Sequence, residues 1–111
     1  MKENRPWGFY RTLEESENYK VKYIWIDPNQ KLSYQKHQFR AEHWYIVSGT
    51  AEVTIDDVKS LIKAGDAIDI KMGQKHRIAA GSDPVEFIEV QTGTYFGEDD
   101  IERIEDSYGR K

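Results

Sequence analysis

The side chains best suited to holding a metal ion fall in two short stretches of the sequence. Gln35 and His37 stand two residues apart, so a strand would direct both side chains to the same face. Glu42 follows beyond a short reversal, and His76 follows a glycine-containing turn. Two imidazoles, a carboxylate and an amide oxygen form a suitable ligand set for a divalent metal ion, and zinc, iron, manganese, nickel and cobalt are all compatible with it.

The composition leaves this nitrogen and oxygen site as the one credible transition-metal site. The 111 residues include no cysteine, which excludes disulfides, iron–sulfur clusters, Cys-ligated zinc and thiol catalysis. The 16 Lys and Arg against 20 Asp and Glu give a net charge of −4, which argues against nucleic acid or an anionic membrane as a partner. Because no long apolar run is present, we expect neither a signal peptide nor a membrane span, and we expect a cytoplasmic protein.

Strands must position these side chains, because the chain shows the pattern of short half-buried strands and hardly any helical periodicity. Aromatic and β-branched residues form short runs between turn residues such as Asp56-Asp57. Ser48-Gly49-Thr50 predicts a hairpin turn between two of the strands. Strands at a spacing of about ten residues predict a single all-β domain, an antiparallel sandwich or barrel. The predicted strands span 20–26, 43–47, 51–55, 67–71, 76–80 and 85–92.

The C-terminal region has a different pattern. Ile101, Ile104 and Tyr108 recur at helical spacing, and the acids at 98–100 would lie in the first turn, where they complement the helix dipole. This pattern predicts a short helix over 98–108 that closes one end of the barrel.

The spacing of the candidate ligands resembles the cupin family. Its two motifs run G(X)5HXH(X)3–4E(X)6G and G(X)5PXG(X)2H(X)3N, and residues 29–80 match both without a gap. The resemblance implies a double-stranded β-helix, or jelly-roll barrel, whose metal ligands are the four residues named above. The matching positions are Asn29, Gln35, His37, Glu42 and Gly49 in the first motif and Gly65, Lys71, Gly73, His76 and Ala80 in the second.

Four positions depart from the cupin motifs. Asn29, Lys71 and Ala80 stand at turn positions where the motifs have Gly, Pro and Asn, so they affect loop geometry rather than ligation. Gln35 replaces a histidine, which exchanges a nitrogen ligand for a neutral oxygen and would retune the metal.

A narrower resemblance accounts for Gln35. The chain is similar to the type II mannose-6-phosphate isomerase group, the C-terminal part of bifunctional mannose-1-phosphate guanylyltransferase/isomerase enzymes. The resemblance implies an isomerase that interconverts mannose 6-phosphate and fructose 6-phosphate, with zinc as the favoured metal, because type I isomerases use a Gln, His, Glu, His set. Since 111 residues cannot include the transferase domain, we expect a stand-alone isomerase domain. The matching stretches are RPWGFY (5–10), YKVKYI (19–24), LSYQKHQFRAEHWYIVSGTAEVT (32–54) and EVQTGTYFGEDDIERIEDSYGR (89–110).

This reaction needs a base that moves a proton between C1 and C2 of the sugar. Glu89 and His43 are the candidates, since burial raises the pKa of a carboxyl toward neutrality and imidazole titrates near it. Strand alternation places His43 on the face opposite Glu42, so Glu89 is preferred.

The substrate also needs groups that bind phosphate and sugar hydroxyls. Arg40 is the strongest candidate, because it stands two residues before Glu42 and guanidinium donors suit phosphate. We count it among both the catalytic and the substrate-binding residues. Lys22 and Arg103 lie in stretches that match the family, and Ser33 should share the inward face of Gln35.

Two other functions remain open at this point. The first is a sugar-phosphate-binding metal cupin that lacks turnover and serves a biosynthetic partner, and the second is a metal-dependent oxygenase. The basic residues near the site favour an anionic substrate over the oxygenase. Because a small barrel commonly buries one hydrophobic strand face between two copies, we also expect a homodimer.

Overall fold

Short antiparallel strands make up nearly all of the regular structure. The computed structural model describes residues 2–110, in which a 3-10 turn at Glu98–Asp100 is the one helical element. The strands are β1 (Lys2–Arg5), β2 (Gly8–Glu15), β3 (Tyr19–Ile26), β4 (Tyr34–His37), β5 (Arg40–Ser48), β6 (Thr50–Ile55), β7 (Val58–Lys63), β8 (Ala67–Ile70), β9 (His76–Ala80), β10 (Val85–Gly93) and β11 (Ile101–Glu105).

The strands form two sheets. One has six strands in the order β1-β2-β3-β10-β5-β8, and the other has five in the order β11-β4-β9-β6-β7. Every second residue of β5 and β10 is buried, as expected for strands with one face on a core. The core includes Trp44, Ile46, Phe87, Val53 and Ile78. This confirms the predicted all-β class with two antiparallel sheets.

All six predicted strands are present, but the hairpin predicted at residues 48–50 is wrong. β5 and β6 belong to different sheets, so the chain crosses from one sheet to the other at Gly49. Gly49 has φ 88°, and a Cβ atom there would lie 2.3 Å from the Pro84 carbonyl oxygen. A glycine is therefore required for the crossing. The reversal at Asp56-Asp57 is confirmed, since both residues have positive φ between the paired strands β6 and β7.

The helix predicted over 98–108 is also wrong beyond its first turn. After the 3-10 turn the chain becomes strand β11, which pairs with β4. The Asp100 carboxylate accepts hydrogen bonds from the backbone N–H groups of Gln38 and Phe39, which holds the segment against the β4–β5 connection. Strand alternation then leaves Ile104 exposed instead of placing it on a helix face.

No helix within residues 2–110 has the length and apolar character needed to span a membrane.

Candidate metal centre and substrate cavity

Three strands bring two histidines and a glutamate together between the sheets. His37 ends β4, Glu42 lies in β5 and His76 begins β9, and all three side chains are buried. The Glu42 carboxylate lies between the two rings, 3.3 Å from His37 Nε2 and 3.7 Å from His76 Nε2. One ligand atom from each residue lies within 4.8 Å of the others, a spacing that suits a single ion.

Both rings are oriented through their other nitrogen. His37 Nδ1 lies 3.3 Å from the Asp100 carbonyl oxygen, and His76 Nδ1 lies 3.0 Å from the Gln74 carbonyl oxygen. An Nδ1–H donor on each ring leaves an Nε2 lone pair directed toward Glu42. Burial, with the nearby charges of Arg40 and His76, lowers the pKa of His37 to about 3, so its ring is neutral at pH 7. Neutral imidazole is the form that binds metal, and the donor set fits a divalent ion.

Gln35 lies beside this cluster. It pairs with His76 across β4 and β9, and its side chain lines a cavity beside the cluster. Gln35 Nε2 donates a hydrogen bond to Ser33 Oγ at 3.0 Å, so the amide oxygen is the group left for a metal. Ser33 is itself buried on the same inward side, as the sequence predicted.

Two donors hold the Glu42 carboxylate in place. Arg40 Nε donates to Glu42 Oε2 and Trp44 Nε1 donates to Glu42 Oε1, each at 3.0 Å. Arg40 Nη2 also lies 3.1 Å from His37 Nε2. The inward direction predicted for Arg40 is therefore correct. Sequence reasoning missed Trp44, although its position two residues after Glu42 puts it on the same face.

A cavity of about 60 Å³ opens beside the cluster and is rich in cationic side chains. Lys22 and Arg103 line it, as predicted, together with Arg40. Sequence reasoning did not identify Arg5, Arg77 and Arg110. Arg5 and Arg110 nevertheless lie in the stretches RPWGFY and SYGR, which carry the family resemblance. Within residues 2–110 the basic residues that line the cavity are Arg5, Lys22, Arg40, Arg77, Arg103 and Arg110.

Glu89 is a buried acid that lines this cavity. It lies in β10 opposite Lys22 of β3 and Trp44 of β5, and Gln91 Nε2 donates a hydrogen bond to its carboxylate. Burial and the negative charge of Glu42 raise the pKa of Glu89, against the opposing effects of Lys22, Arg40 and Gln91. A carboxyl with a raised pKa beside a candidate metal site can act as a proton acceptor and donor.

The structure does not bring His43 into the cavity. Its side chain is half exposed on the outer face of β5, and its Nδ1 lies 2.6 Å from Asp69 Oδ1 on β8. The cause is strand alternation, because Glu42 and Trp44 on either side of His43 face inward. His43 is therefore not retained as a candidate base.

The amino-acid sequence matches a known family over nearly its whole length. The profile described as "Mannose-6-phosphate isomerase C-terminal" matches residues 1–106. The Alginate biosynthesis protein AlgA of Pseudomonas aeruginosa is 50% identical over 107 residues, which are 96% of this chain and 22% of that protein. Identity is 49% to the Xanthan biosynthesis protein XanB of Xanthomonas campestris and 45% to the Mannose-1-phosphate guanylyltransferase ManC of Salmonella typhimurium, again over 96% of this chain. The chain spans about a fifth of the length of these relatives, 22–23%.

Solved structures share the fold. Oxalate decarboxylase from Bacillus subtilis superposes with a TM-score of 0.84 at 24% identity, over 94% of this chain and 30% of that chain. The cupin domain of Cnp3 from Schizosaccharomyces pombe gives a TM-score of 0.74 at 14% identity, over 77% and 64% of the two chains. The fold is thus that of the cupins, and the chain belongs to the mannose-6-phosphate isomerase C-terminal family.

Proposed function

We propose that this chain is a metal-dependent isomerase that interconverts mannose 6-phosphate and fructose 6-phosphate. The observation that carries the proposal is Glu89, a buried carboxyl of raised pKa that shares a cation-lined cavity with Glu42 and His76, two members of the cluster that His37 completes. Metal, base and anion-binding groups are the three requirements of this reaction, and the cavity supplies a candidate for each.

Gln35, His37, Glu42 and His76 would hold the metal, for which we propose zinc. The mixed nitrogen and oxygen donors are also compatible with Mn(II), and the cupin-fold oxalate decarboxylase from Bacillus subtilis contains Mn(II) centres. A divalent ion bound there would stabilise the negative charge that develops on the two sugar oxygens.

The proton transfer is assigned to Glu89. Its carboxylate takes the proton from C2 of open-chain mannose 6-phosphate, the C2–H electron pair forms the C1–C2 double bond of an enediolate, and the C1=O π pair moves to O1. The same carboxyl then gives the proton to C1, which bonds to it with the C1–C2 π pair, while the O2 hydroxyl proton passes to O1. The C2=O carbonyl of fructose 6-phosphate forms as the C1 carbonyl becomes a hydroxyl, with no net loss or gain of atoms. Gln91 fixes the orientation of Glu89 through its hydrogen bond, and the buried position keeps bulk water from the exchanging proton.

The substrate phosphate and hydroxyls are assigned to four residues. Arg40, Lys22 and Arg103 line the cavity and supply cationic donors, and the Ser33 hydroxyl lies beside Gln35. Arg40 also contacts Glu42 and His37, so it joins the phosphate end of the cavity to the metal end. This double contact is why we keep Arg40 as a catalytic as well as a binding residue.

We place the reaction in the supply of GDP-mannose for polysaccharide synthesis. The relatives in Pseudomonas and Xanthomonas are named for alginate and xanthan biosynthesis, and the Salmonella relative is named as a mannose-1-phosphate guanylyltransferase. Mannose 6-phosphate made from fructose 6-phosphate is a chemical precursor of mannose 1-phosphate.

A coupled assay tests the isomerase proposal. We expect the purified protein to convert mannose 6-phosphate to fructose 6-phosphate in both directions, to lose turnover after treatment with a chelator, and to regain it on addition of zinc. Turnover that survives complete metal removal would contradict the proposal. A protein that binds the metal and the sugar phosphate but shows no turnover with any divalent ion would instead be the non-catalytic binding protein.

We further propose that the chain forms a homodimer through the outer face of the six-stranded sheet. This face carries the stacked rings of Phe9 and Trp25, while Tyr45 and Val47 of β5 are nearly half exposed beside it. Six strands spaced by about 4.8 Å and about 20 Å long present roughly 580 Å² per copy. A dimer would therefore bury roughly 1,150 Å², which exceeds the ~1,000 Å² expected of a specific interface.

Light scattering checks this assembly. We expect a mass of about twice the 13.0 kDa of one chain, and a single-chain mass after Val47→Glu, because a charge would be buried at the interface. Val58→Glu is the matched control, since Val58 is an exposed strand valine of the other sheet. A monomeric wild-type protein, or a monomer produced equally by both substitutions, would rule out this interface.

A further inference from the structure

The carboxylate of Glu98 lies in the cavity beside two of its cations, Arg40 and Lys22. Glu98 Oε2 is 3.7 Å from Arg40 Nη1 and 4.0 Å from Lys22 Nζ. Both cations are almost fully buried, whereas the Glu98 side chain is 48% exposed. Both distances are typical of ion pairs and are too long for hydrogen bonds.

The Arg40 guanidinium has an unused donor at this point. Its Nε and Nη2 atoms contact Glu42 and His37, but Nη1 is buried and makes no hydrogen bond to any residue in the range 2–110. A buried guanidinium nitrogen without a hydrogen bond is costly unless a ligand completes it. The donor is directed toward the space that Glu98 reaches from outside, so the missing acceptor is an anion.

The ammonium group of Lys22 is positioned to bind the same anion. Its Nζ atom lies 4.2 Å from the centre of the Tyr10 ring, and its side chain is buried in β3. The cation–π contact fixes the ammonium group without using up its hydrogen-bond donors. Arg40 and Lys22 therefore form a rigid pair of donors.

Glu98 is free to leave. The turn that carries it has no buried residue, and Asp100 holds that turn through its bonds to Gln38 and Phe39. Rotation of the Glu98 side chain can therefore remove the carboxylate without movement of the backbone. Burial raises the pKa of Glu98, but the charges of Lys22 and Arg40 outweigh this and hold it below its ordinary value, so the carboxylate is ionised.

We infer that the Glu98 carboxylate occupies the position of the substrate's phosphate in the free protein, and that the phosphate displaces it to bind Arg40 and Lys22. The naming of the anion as a sugar phosphate rests on the proposed function. Glu98 is thus an internal competitor. A dianionic phosphate exchanges favourably for its single charge, whereas a neutral sugar has no means of displacing it, so Glu98 favours phosphorylated substrates over free sugars.

Titration calorimetry with inorganic phosphate tests this inference without the need for turnover. A site that Glu98 fills about four-fifths of the time binds an added anion about fivefold more weakly than an open site. We therefore expect Glu98→Gln to lower the Kd for phosphate about fivefold. Glu102→Gln is the matched control, because Glu102 is an exposed acid of β11 outside this cavity. Its substitution changes the net charge of the chain by the same amount as Glu98→Gln. We expect its phosphate affinity to stay within about twofold of wild type.

Several results would overturn the inference. They are an unchanged or weaker affinity in Glu98→Gln, an equal gain in both variants, and the absence of phosphate binding in every protein. Weaker binding of mannose 6-phosphate with unchanged binding of inorganic phosphate would show that Glu98 contacts the sugar instead. A gain for Glu98→Gln in a protein without isomerase turnover would support the anion exchange and reject the proposed function. Isomerase turnover without a gain in phosphate affinity for Glu98→Gln would support the proposed function and reject the anion exchange.

Discussion

His76→Ala is expected to empty the metal site and to abolish nearly all isomerase turnover. The Nε2 atom of His76 lies close to the ligand atoms of His37 and Glu42. Replacing His76 with alanine removes one of these three ligands and leaves His37 and Glu42. A metal that stabilises the developing charge by about 4 kcal/mol accounts for about 10³-fold in rate. We therefore expect metal content to fall from one ion to near zero per chain and turnover to fall at least about 10³-fold.

His76 is a better target than Glu42 for this test. Glu42 compensates the buried charge of Arg40, and breaking a buried ion pair typically costs about 3–5 kcal/mol, so Glu42→Ala would endanger the fold. His76 does not compensate the Arg40 charge, and its ring meets Trp44 in a T-shaped contact. Lys75→Ala is the control, because Lys75 is the preceding residue and its ammonium contacts Asp57 outside the site.

Elemental analysis of the purified variants, together with the coupled assay, measures both quantities. Unchanged metal content in His76→Ala would show that the metal site lies elsewhere. A loss of metal in Lys75→Ala as well would mean that the turn before β9, rather than the imidazole, had been damaged.

Glu89→Gln is expected to lower turnover by about 10²–10⁴-fold, the range over which general base catalysis acts. The amide has nearly the same shape as the carboxyl group but cannot accept the proton from C2. Metal content should stay at the wild-type level, because Glu89 is outside the cluster formed by His37, Glu42 and His76. The variant therefore separates the base from the metal ligands.

Glu86→Gln is the matched control for this substitution. Glu86 lies in the same strand but on the outer face, where it accepts hydrogen bonds from Tyr23 and Ser48. We expect its turnover to be close to wild type. If Glu89→Gln retained activity within tenfold, the base would be another group; if it lost the metal, Glu89 would be a ligand.

The pH dependence gives an independent check on Glu89. Burial and the charge of Glu42 raise its pKa above the ordinary value of 4.5, and the base must be ionised to act. We expect kcat/KM to fall on the acid side as Glu89 takes up a proton. The raised pKa also means that ionisation of Glu89 costs stability as pH rises through it, so Glu89→Gln should be at least as stable as wild type at neutral pH in thermal unfolding.

The sequence was most informative where a local rule decides the direction of a side chain. Alternation along β5 placed Arg40 and Glu42 inward and His43 outward, and all three directions are confirmed. Asn29 was a departure from the cupin motif, yet its φ of 62° shows that it adopts the left-handed conformation that glycine favours.

The sequence was least informative where the direction depends on distant pairing. Ile101 and Ile104 have helical spacing, but an available edge of β4 pairs with this segment and overrides the local preference. That Arg5, Arg77 and Arg110 line the cavity depends on how the two sheets and the terminal segments close around it. No local pattern carries that information, so these cations were not found.

The bond between His37 and the Asp100 carbonyl joins positions 63 residues apart, and it has a consequence for biosynthesis. During translation His37 leaves the ribosome long before Asp100 does, and β4 has no β11 to pair with until the chain has been made to residue 105. The orientation of this imidazole is therefore fixed only after nearly the whole barrel has been synthesised. We expect metal to be acquired only after residue 105 has been synthesised, from the ions then available to the folding barrel, rather than by a shorter nascent segment that carries His37 without β11.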